Sequence, residues 1–479
     1  MLHEFKGGLD NAEKKYDFCI CGAGAAGITL AIKLAQKGAR IVLLEGGGLE
    51  HSQQSQEIYK YKSVGMPGWL DLMRIRYLGG TTNIWSGRCR PFEKSDFNTK
   101  TIGELPGWPI PKGEIDVYLN EALTILDIRT DNPFAPIENN PQLKRNFYPD
   151  YFALSSPPTR FGKKYLEQLT KSKNIDLFLN ANVVDIRLAE NLETVSGVTV
   201  KNYDGITSEV KAKNYILCLG GVANAKILLN SDSQIKGGIG NHAALVGACY
   251  MDHLNVPLGR FVMKNPPKRM EFFTSDEFIG ERNIGKSNVT FGVVQEVKAY
   301  GRTRKIKEFF QELSCSMGIK DKVRLLVEFD CPSEGIIGTM CEQSPDILSR
   351  IYLDKERDSL GMRRIVHDWR LNAWDKKTIR TIAVDIAKQF AEADLGRVQL
   401  NDYILNDSLD IPLSQHSHHM GTTRMAKRPE HGVVDRNCKV FNTENLYIGG
   451  SSIFATCGAA SPTMPLIQFA LRLADHLAP

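Results

Sequence analysis

The sequence predicts an α/β fold in which a discontinuous, Rossmann-like dinucleotide-binding domain is joined to an α+β domain built on an antiparallel sheet. Residues 16–48 read as a strand, a glycine-rich turn, a helix and a second strand, which is the order of a βαβ unit. Strand-then-glycine segments recur far along the chain. Its 479 residues are more than one hydrophobic core accommodates, so two domains are expected.

The βαβ unit carries the features of a dinucleotide-binding turn. Gly22 allows a tight turn after the strand, Gly24 lets a pyrophosphate approach the backbone, and Gly27 lets the helix pack closely on the sheet. Glu45 ends the second strand, where the ribose hydroxyls need an acceptor. We therefore expect a bound adenine dinucleotide, and the alternative is an α/β turn that is simply rich in glycine.

Two later parts of the chain supply further strands. Residues 174–179 and 183–186 alternate in the manner of half-buried strands. Residues 215–221 form a buried-strand pattern that ends in two glycines and leads into a helical pattern. The strand pattern of residues 445–451 contains another glycine pair, and residues 464–477 follow as a helix. The sheet must therefore be assembled from distant segments.

The regions between these segments differ in character. Residues 91–161 are rich in proline, asparagine and aromatic side chains. Residues 245–410 combine alternating stretches, such as 322–329, with an amphipathic helix over 375–392. This mixture is typical of an antiparallel sheet backed by helices, inserted into the dinucleotide-binding domain.

Composition and charge narrow the class of protein. The net charge is only +5 and there is no long basic run, so nucleic acid is not an expected partner. The N-terminus lacks the apolar core of a signal peptide and no run approaches about 18 apolar residues, which favours a cytoplasmic protein without a membrane partner. Ten cysteines without a CxxC pair or a zinc spacing indicate reduced thiols.

A second glycine-rich stretch covers residues 76–88. Its glycine pair is followed by small hydroxyl and amide side chains and then by a tryptophan. Such a loop can place backbone N–H groups against a flat, electron-rich ligand, although a simple surface turn is the alternative.

A histidine cluster follows at His416, His418 and His419. An HxHH pattern could bind zinc, but no cysteine or acidic residue lies close by in sequence to complete a tetrahedral set. An imidazole could instead take a proton from an alcohol, because it titrates near neutral pH. A purely structural cluster is the third possibility.

Taken together, these motifs resemble those of the glucose–methanol–choline (GMC) flavoprotein oxidoreductases. The resemblance covers residues 16–477 in the order of the family, and in detail it is closest to bacterial sugar and polyol dehydrogenases and to pyranose oxidase-like members. The motifs are GAGAAG with Glu45, LGGTTNIWSG, LGGVANAKILL, HHMGTTRM, and NLYIGGSSIFATCGAASPTMP.

The resemblance implies FAD as the dinucleotide, and it implies which residues hold it. Because there is no histidine between His51 and His242, the attachment that some relatives make through a loop histidine is missing, and FAD should be bound non-covalently. The implied cofactor residues are Gly22, Gly24, Ala25, Ala26 and Gly27 at the pyrophosphate, Glu45 at the ribose, Val183 at the adenine, Gly79, Gly80, Thr81, Thr82 and Asn83 beside the isoalloxazine ring with Asn83 near N5, Gly449, Gly450 and Ser451 at the phosphate and ribityl groups, and Gly220.

The resemblance also implies the catalytic residues. The catalytic base of the family lies three residues before a Gly-Thr pair, and in this sequence that residue is His418. The base takes the hydroxyl proton while hydride passes from the substrate carbon to flavin N5. His416 and His419 are then neighbours that pack against the base or orient it. Ser461 stands where the family usually has His or Asn as a second hydrogen-bonding partner for the substrate oxygen. A serine can donate there but is no base. His253 corresponds to a recurrent position at the domain junction and is interpreted as structural.

The implied function is oxidation of a CH–OH group of a sugar, polyol or sugar-bearing metabolite to a carbonyl. The alternatives are an apolar or aromatic alcohol as substrate, or a lyase or binding protein that keeps FAD without redox turnover. The electron acceptor, whether oxygen, a quinone or another compound, stays open. The expected domains are residues 12–95, 170–244 and 430–479 for FAD, and residues 96–169 and 245–429 for the substrate.

Overall fold

The structure is a computed structural model. It describes residues 1–7, 16–97, 105–129, 133–136, 143, 146–149, 151–263, 269–293, 334–415 and 417–478. The alternating stretch at 322–329 and one histidine of the cluster, His416, lie outside the described residues.

The first part of the fold is a six-stranded sheet in which every pair of neighbouring strands is parallel. One central strand, Ile41–Leu44, is entirely apolar and all four of its residues are buried, as expected for a parallel strand that is covered on both faces. As predicted, the strands come from distant parts of the sequence. In order across the sheet they are Leu2–Glu4, Ile175–Leu179, Ile41–Leu44, Tyr16–Cys21, Ala212–Leu217 and Leu446–Ile448.

One predicted strand lies elsewhere. The segment at 183–186 was expected to continue the doubly wound sheet, but it belongs to Asn182–Leu188 in a separate antiparallel sheet with Val195–Lys201 and Thr207–Val210. Asn180 takes a left-handed conformation (φ 55°) directly after the parallel strand, which turns the chain away from it. The alternation of a short segment predicts a strand but does not say which sheet the strand joins.

The second part of the fold is an antiparallel sheet. A long helix, Ala373–Glu392, packs on one of its faces, where the rings of Phe291 and Phe390 stack at 5.0 Å between centroids. In order the strands are Gly396–Leu400, Leu254–Met263, Glu334–Cys341, Ser287–Val293, Arg269–Thr274 and Phe147–Pro149, and Ser414–Gln415 also pairs with Leu254–Met263.

Two small sheets and several helices complete the described structure. Among the described residues, no helix has both the length and the apolar composition needed to cross a bilayer. The small sheets consist of Arg350–Arg357, Arg363–Trp369 and Tyr61–Gly65, and of Arg88–Cys89, Tyr151–Leu154 and Ala135–Pro136. The other α-helices are Ala25–Gln36, Gln53–Glu57, Gly113–Asp116, Leu119–Ile125, Phe161–Lys171, Gly220–Asn230, Asp276–Arg282, Asp402–Leu405 and Thr463–Leu477.

Candidate active site

A cavity of about 1140 Å³ lies where the parallel sheet meets the antiparallel sheet. Gly22, Glu45, Gly220 and Gly449, each directly after or near the carboxyl end of a different parallel strand, line one side of it. That edge is where open α/β sheets bind their ligands. The volume exceeds the roughly 300–1,000 Å³ of an ordinary small-molecule pocket, which suits a ligand as large as a dinucleotide.

Three glycines on the cavity wall face open space. A Cβ atom added at Gly24, Gly220 or Gly450 would meet no described heavy atom within 4 Å. The last two have φ values of +92° and +106°, which disfavour other residues, but Gly24 has φ −85°. At Gly24, therefore, neither the backbone conformation nor the packing of the described residues requires glycine, and its lack of a side chain leaves room for a ligand.

The other two glycines of the first turn serve the fold. Gly22 has φ +103°, and a Cβ atom there would lie 2.5 Å from the Cys218 carbonyl oxygen. A Cβ atom at Gly27 would lie 1.9 Å from the carbonyl oxygen of Gly22. Gly22 makes the turn and Gly27 lets the helix Ala25–Gln36 pack against it, so Gly27 lies behind the cavity wall and does not line it.

Glu45 is held rigidly at the cavity edge. Its Oε2 accepts a hydrogen bond from the Ala23 N–H at 2.9 Å and its Oε1 accepts one from the Gly47 N–H at 2.9 Å. The side chain is buried. Each carboxylate oxygen has a second lone pair, so a ribose hydroxyl could also donate to it.

The loop at 78–83 lies directly on the first turn. The Gly79 N–H donates to the Ala23 carbonyl at 2.8 Å, and a Cβ atom at Gly80 would lie 3.3 Å from Gly24. Asn83 turns its amide towards the Leu78 carbonyl at 3.0 Å. Of the predicted loop residues, Gly80, Thr81 and Thr82 line the cavity, whereas Gly79 and Asn83 do not.

The remaining predicted site residues also line the cavity, on both sides of it. They are Ala25, Ala26, Val183, Gly449, Gly450, Ser451, His418 and Ser461.

A buried arginine that the sequence did not single out lines the same cavity. Arg74 donates from Nε to the Leu70 carbonyl at 2.8 Å and from Nη2 to the Tyr59 carbonyl at 3.2 Å. In the part of the chain that the structure describes, no carboxylate forms an ion pair with it. Burial lowers its pKa, which reflects the cost of an unneutralised charge. A pyrophosphate would supply the missing negative charge, so the residues present fit a dinucleotide.

The histidines meet a partner from another segment. His253 Nδ1 and His418 Nδ1 are 2.8 Å apart, and His253 Nε2 lies 2.9 Å from the Gly458 carbonyl oxygen. Asp252, fully buried, accepts the backbone N–H groups of His253 at 2.7 Å and His418 at 3.0 Å on the same Oδ1 atom. The carboxylate therefore fixes the two histidine-bearing segments against each other.

This geometry assigns the proton positions on both rings. A carbonyl oxygen only accepts, so His253 Nε2 carries a proton and, in the neutral ring, Nδ1 is an acceptor. His418 Nδ1 must then donate to it, and the lone pair of neutral His418 lies on Nε2. The arrangement prepares His418 to accept a proton at Nε2.

His419 has a different character from His418. Burial lowers its pKa well below the usual range, with the Arg74 and His367 charges adding to the effect, so the ring stays neutral. Its Nε2 is 3.9 Å from Asp252 Oδ2 and has no hydrogen-bond partner among the described residues. Its backbone carbonyl accepts from Ser451 Oγ at 2.7 Å. His419 thus joins the histidine segment to the residues after the last parallel strand.

The structure changes one argument made from sequence. No acidic residue lies near the histidine cluster in sequence, yet Asp252, His253 and His418 place one potential ligand atom each within 4.8 Å of one another. The set could in principle hold a metal ion. The two Nδ1 atoms instead contact each other, His253 Nε2 contacts Gly458, and Asp252 accepts backbone N–H groups, so these contacts do not depend on an ion.

Known proteins share this architecture. Residues 345–470 match the family model described as GMC oxidoreductase. The chain is 24% identical to 2-methyl-1,2-propanediol dehydrogenase of Mycolicibacterium austroafricanum, covering 96% of this chain and 95% of that protein. It is 21% identical to 6'''-hydroxyparomomycin C oxidase of Streptomyces lividus, covering 98% and 93%. The structure of pyridoxine 4-oxidase from Mesorbium loti superimposes with a TM-score of 0.61 at 17% identity, over 96% and 99% of the two chains.

The walls of one cavity combine glycine turns that fit a dinucleotide with an imidazole whose lone pair is on Nε2. Such a combination is typical of a cofactor-dependent oxidoreductase. The family match and the full-length relatives narrow that class. The chain is therefore similar to the GMC oxidoreductases, and this similarity supports an enzyme that uses FAD.

Proposed function

We propose that the enzyme oxidises a CH–OH group of a sugar, a polyol or a sugar-bearing metabolite to a carbonyl, with His418 as the base. The observation that carries this proposal is the pair of contacts at His253, to His418 at 2.8 Å and to Gly458 at 2.9 Å. They direct the proton-accepting lone pair of His418 to Nε2. By their names, the relatives described above act on 2-methyl-1,2-propanediol and on 6'''-hydroxyparomomycin C, which are hydroxyl-bearing compounds, and this supports the substrate class.

The chain's own residues have separate tasks in this proposal. His418 Nε2 takes the proton of the substrate hydroxyl, while Asp252 holds the backbone of His418 and His253 holds its ring. Ser461, in the cavity wall, donates a hydrogen bond to the substrate oxygen. When bound, FAD supplies the acceptor for the hydride that leaves the carbon.

We also propose which residues hold FAD. The first turn with Gly24 and the N-terminus of the helix Ala25–Gln36 receive the pyrophosphate, and Arg74 neutralises it. Glu45 accepts from the ribose, and Val183 lies at the adenine. Binding is non-covalent, because the loop at 78–83 contains no histidine.

Anaerobic mixing of the FAD-loaded enzyme with a panel of sugars, polyols and other alcohols tests the reaction. At least one sugar or polyol is expected to remove the absorbance of oxidised flavin. If no alcohol in a broad panel does so, the redox function is wrong. Repeating the reoxidation with oxygen, quinones and dyes identifies the electron acceptor and separates an oxidase from a dehydrogenase.

The base is tested in the same assay with His418→Ala. This variant should keep its FAD but reduce it at least about 10²-fold more slowly, the share that a positioned base contributes. His476→Ala, a change at an exposed histidine, is the control and should leave the rate unchanged. An unaltered rate of flavin reduction in His418→Ala would exclude His418 as the base. Loss of activity after chelator treatment would instead support a metal ion at the histidine cluster.

A further inference from the structure

One face of the antiparallel sheet forms the far wall of the cavity. Along the strand Ser287–Val293 the side chains alternate, so that Val289 and Phe291 are buried towards the long helix while the even-numbered residues line the cavity. Strand pairing sets the cavity-facing residues in rows. The rows are Asn255, Met340 and Asn288, then Gly338 and Thr290, then Ile336 and Gly292.

This wall is polar but electrically balanced. Thr290 Oγ1 donates to Asn288 Oδ1 at 3.1 Å. Arg88, on the cavity wall, forms a two-point ion pair with the fully buried Glu271, which lies opposite Thr290 on the neighbouring strand. The paired carboxylate cancels the arginine charge, so the wall does not favour a charged substrate.

Flat apolar surface accompanies the polar groups. The Arg88 guanidinium lies 3.8 Å from the centroid of the Phe152 ring, and the Arg90 guanidinium lies 4.1 Å from that of Phe273. All four residues line the cavity. Hydroxyl, amide and guanidinium groups beside aromatic rings match a polyhydroxyl molecule, which has polar edges and apolar C–H faces. An apolar alcohol would remove water from these polar groups without replacing its hydrogen bonds.

Two glycines make a hollow in the wall. A Cβ atom at Gly292 would meet no described heavy atom within 4 Å, and one at Gly338 would meet only the Val256 carbonyl oxygen, at 3.4 Å. Neither glycine has a left-handed φ. Neither the backbone nor the packing of the described residues therefore requires glycine here, and the missing side chains leave room on the cavity side.

We propose that this sheet face is a specificity subsite that binds the sugar or polyol part of the substrate beyond the carbon that is oxidised. Asn288 and Thr290 hydrogen-bond its hydroxyl groups, the Phe152 ring contacts its C–H groups, and the hollow at Gly292 and Gly338 receives its bulk. The subsite rests on the proposed function and adds to it a preference for hexose-sized substrates over small diols.

The variant Gly292→Leu tests the subsite by filling the hollow. Its kcat/KM for the best hexose or glycoside of the panel should fall at least about tenfold, whereas that for 1,2-propanediol should not change. Gly113→Leu is the matched control, because a Cβ atom there also meets no described heavy atom within 4 Å and the residue does not line the cavity. Thr290→Val, which replaces a hydroxyl by a methyl group, should lower the ratio of hexose to apolar alcohol turnover about tenfold.

A binding measurement separates this proposal from the proposed function. Calorimetry measures how tightly the same hexose binds to the His418→Ala variant. The subsite is wrong and the function stands if the unaltered enzyme oxidises alcohols but Gly292→Leu keeps its hexose-to-diol ratio and Thr290→Val keeps its ratio of hexose to apolar alcohol turnover. If no alcohol is oxidised, the function is wrong, and the subsite stands only if the hexose binds and Gly292→Leu weakens that binding about tenfold. Should Gly292→Leu fail to fold, Thr290→Val decides.

Discussion

At the scale of single residues, the proton-accepting lone pair of His418 is assigned by a neighbour that lies 165 positions away in sequence. A neutral imidazole can carry its proton on either nitrogen, and only one tautomer presents a lone pair at Nε2. His253 selects that tautomer because its own Nε2 is committed to the Gly458 carbonyl. We therefore regard His253 as a positioning residue rather than a packing residue.

Replacing His253 by leucine should remove the acceptor for His418 Nδ1–H and free the ring to rotate. We expect flavin reduction to slow by about 10- to 10²-fold, the cost of a misplaced reacting group, while KM for the substrate changes little. His253→Asn offers an oxygen near the former Nδ1 position and should recover part of the rate. Stopped-flow reduction of the two variants measures both effects. Equal losses in both, with a matching loss of thermal stability, would indicate a purely structural role.

The sequence predicted the glycines of the site better than its histidine network. Gly22 and Gly27 act through local backbone geometry and close packing, which the spacing of the motif already contains. Asp252 and His253 reach His418 only through tertiary contact between segments far apart in the chain. No local sequence pattern predicts such a contact. The adjacent Asp252–His253 pair was the one feature of the sequence that could have suggested it. The role expected of Asn83 beside the flavin stays a prediction.

At the scale of elements, the hairpin formed by Arg350–Arg357 and Arg363–Trp369 covers part of the cavity. Leu360 and Met362, in and after its turn, line the cavity. Asp358 in the same turn forms a 2.6 Å ion pair with Lys226 of the helix Gly220–Asn230. Both side chains are largely buried, and the pair fastens the turn to the helix that begins at the cofactor edge.

Asp358→Asn should loosen this turn and weaken FAD retention. Removing one partner leaves a buried lysine charge uncompensated, which costs about 3–5 kcal/mol in comparable pairs. We expect the dissociation constant of FAD to rise at least about tenfold, and flavin fluorescence to appear at a lower temperature on heating. Titration of the apoprotein with FAD measures the first effect directly.

Two controls accompany Asp358→Asn. Glu167→Gln breaks a largely exposed ion pair with Lys171 and should not affect FAD binding, because such pairs contribute little. The double variant Lys226→Met with Asp358→Leu removes both charges and should restore much of the affinity. If Asp358→Asn binds FAD as tightly as the unaltered protein, the turn does not secure the cofactor.

The elements also show where alternation is ambiguous. The pattern at 183–186 is that of a half-buried strand, and a strand is present, but in a different sheet from the one expected. The turn at Asn180 decides between them, and its left-handed conformation is not evident from composition. In contrast, the predicted helix over 375–392 is found as Ala373–Glu392, because an amphipathic period over five turns is a long-range signal.

At the scale of the whole molecule, a buried carboxyl group joins the two sheets. Glu342 follows the antiparallel strand Glu334–Cys341 and accepts the Gly458 N–H at 3.2 Å, in the loop that also carries the carbonyl bound by His253. Its other oxygen accepts the Lys286 N–H at 3.2 Å. Burial raises the pKa of Glu342 from 4.5 to about 7, and the nearby Asp96 charge adds to the rise.

This raised pKa makes stability depend on pH with a definite sign. Between about pH 4.5 and 7 the folded protein holds a proton on Glu342 that the unfolded chain has released, so stability falls as the pH rises through this window. Asp375, whose pKa burial raises to about 6, acts in the same direction. His367 acts oppositely, because burial lowers its pKa to about 3 and the unfolded chain gains the proton below pH 6.5.

Glu342→Gln, which imitates the protonated side chain, should therefore reduce the loss of stability between pH 5 and 8. Relative to the unaltered protein, its midpoint of thermal unfolding should be equal or lower at pH 5 and higher by at least about 2 °C at pH 8. Glu190→Gln, an exposed residue, is the control and should shift neither value. Differential scanning calorimetry of the FAD-loaded proteins at both pH values makes the comparison. Carboxylates that form ion pairs in a folded protein give the opposite result, because stability then rises with pH. If the two proteins differ in unfolding midpoint by the same amount at pH 5 and pH 8, Glu342 is ionised at both pH values and other groups compensate its burial.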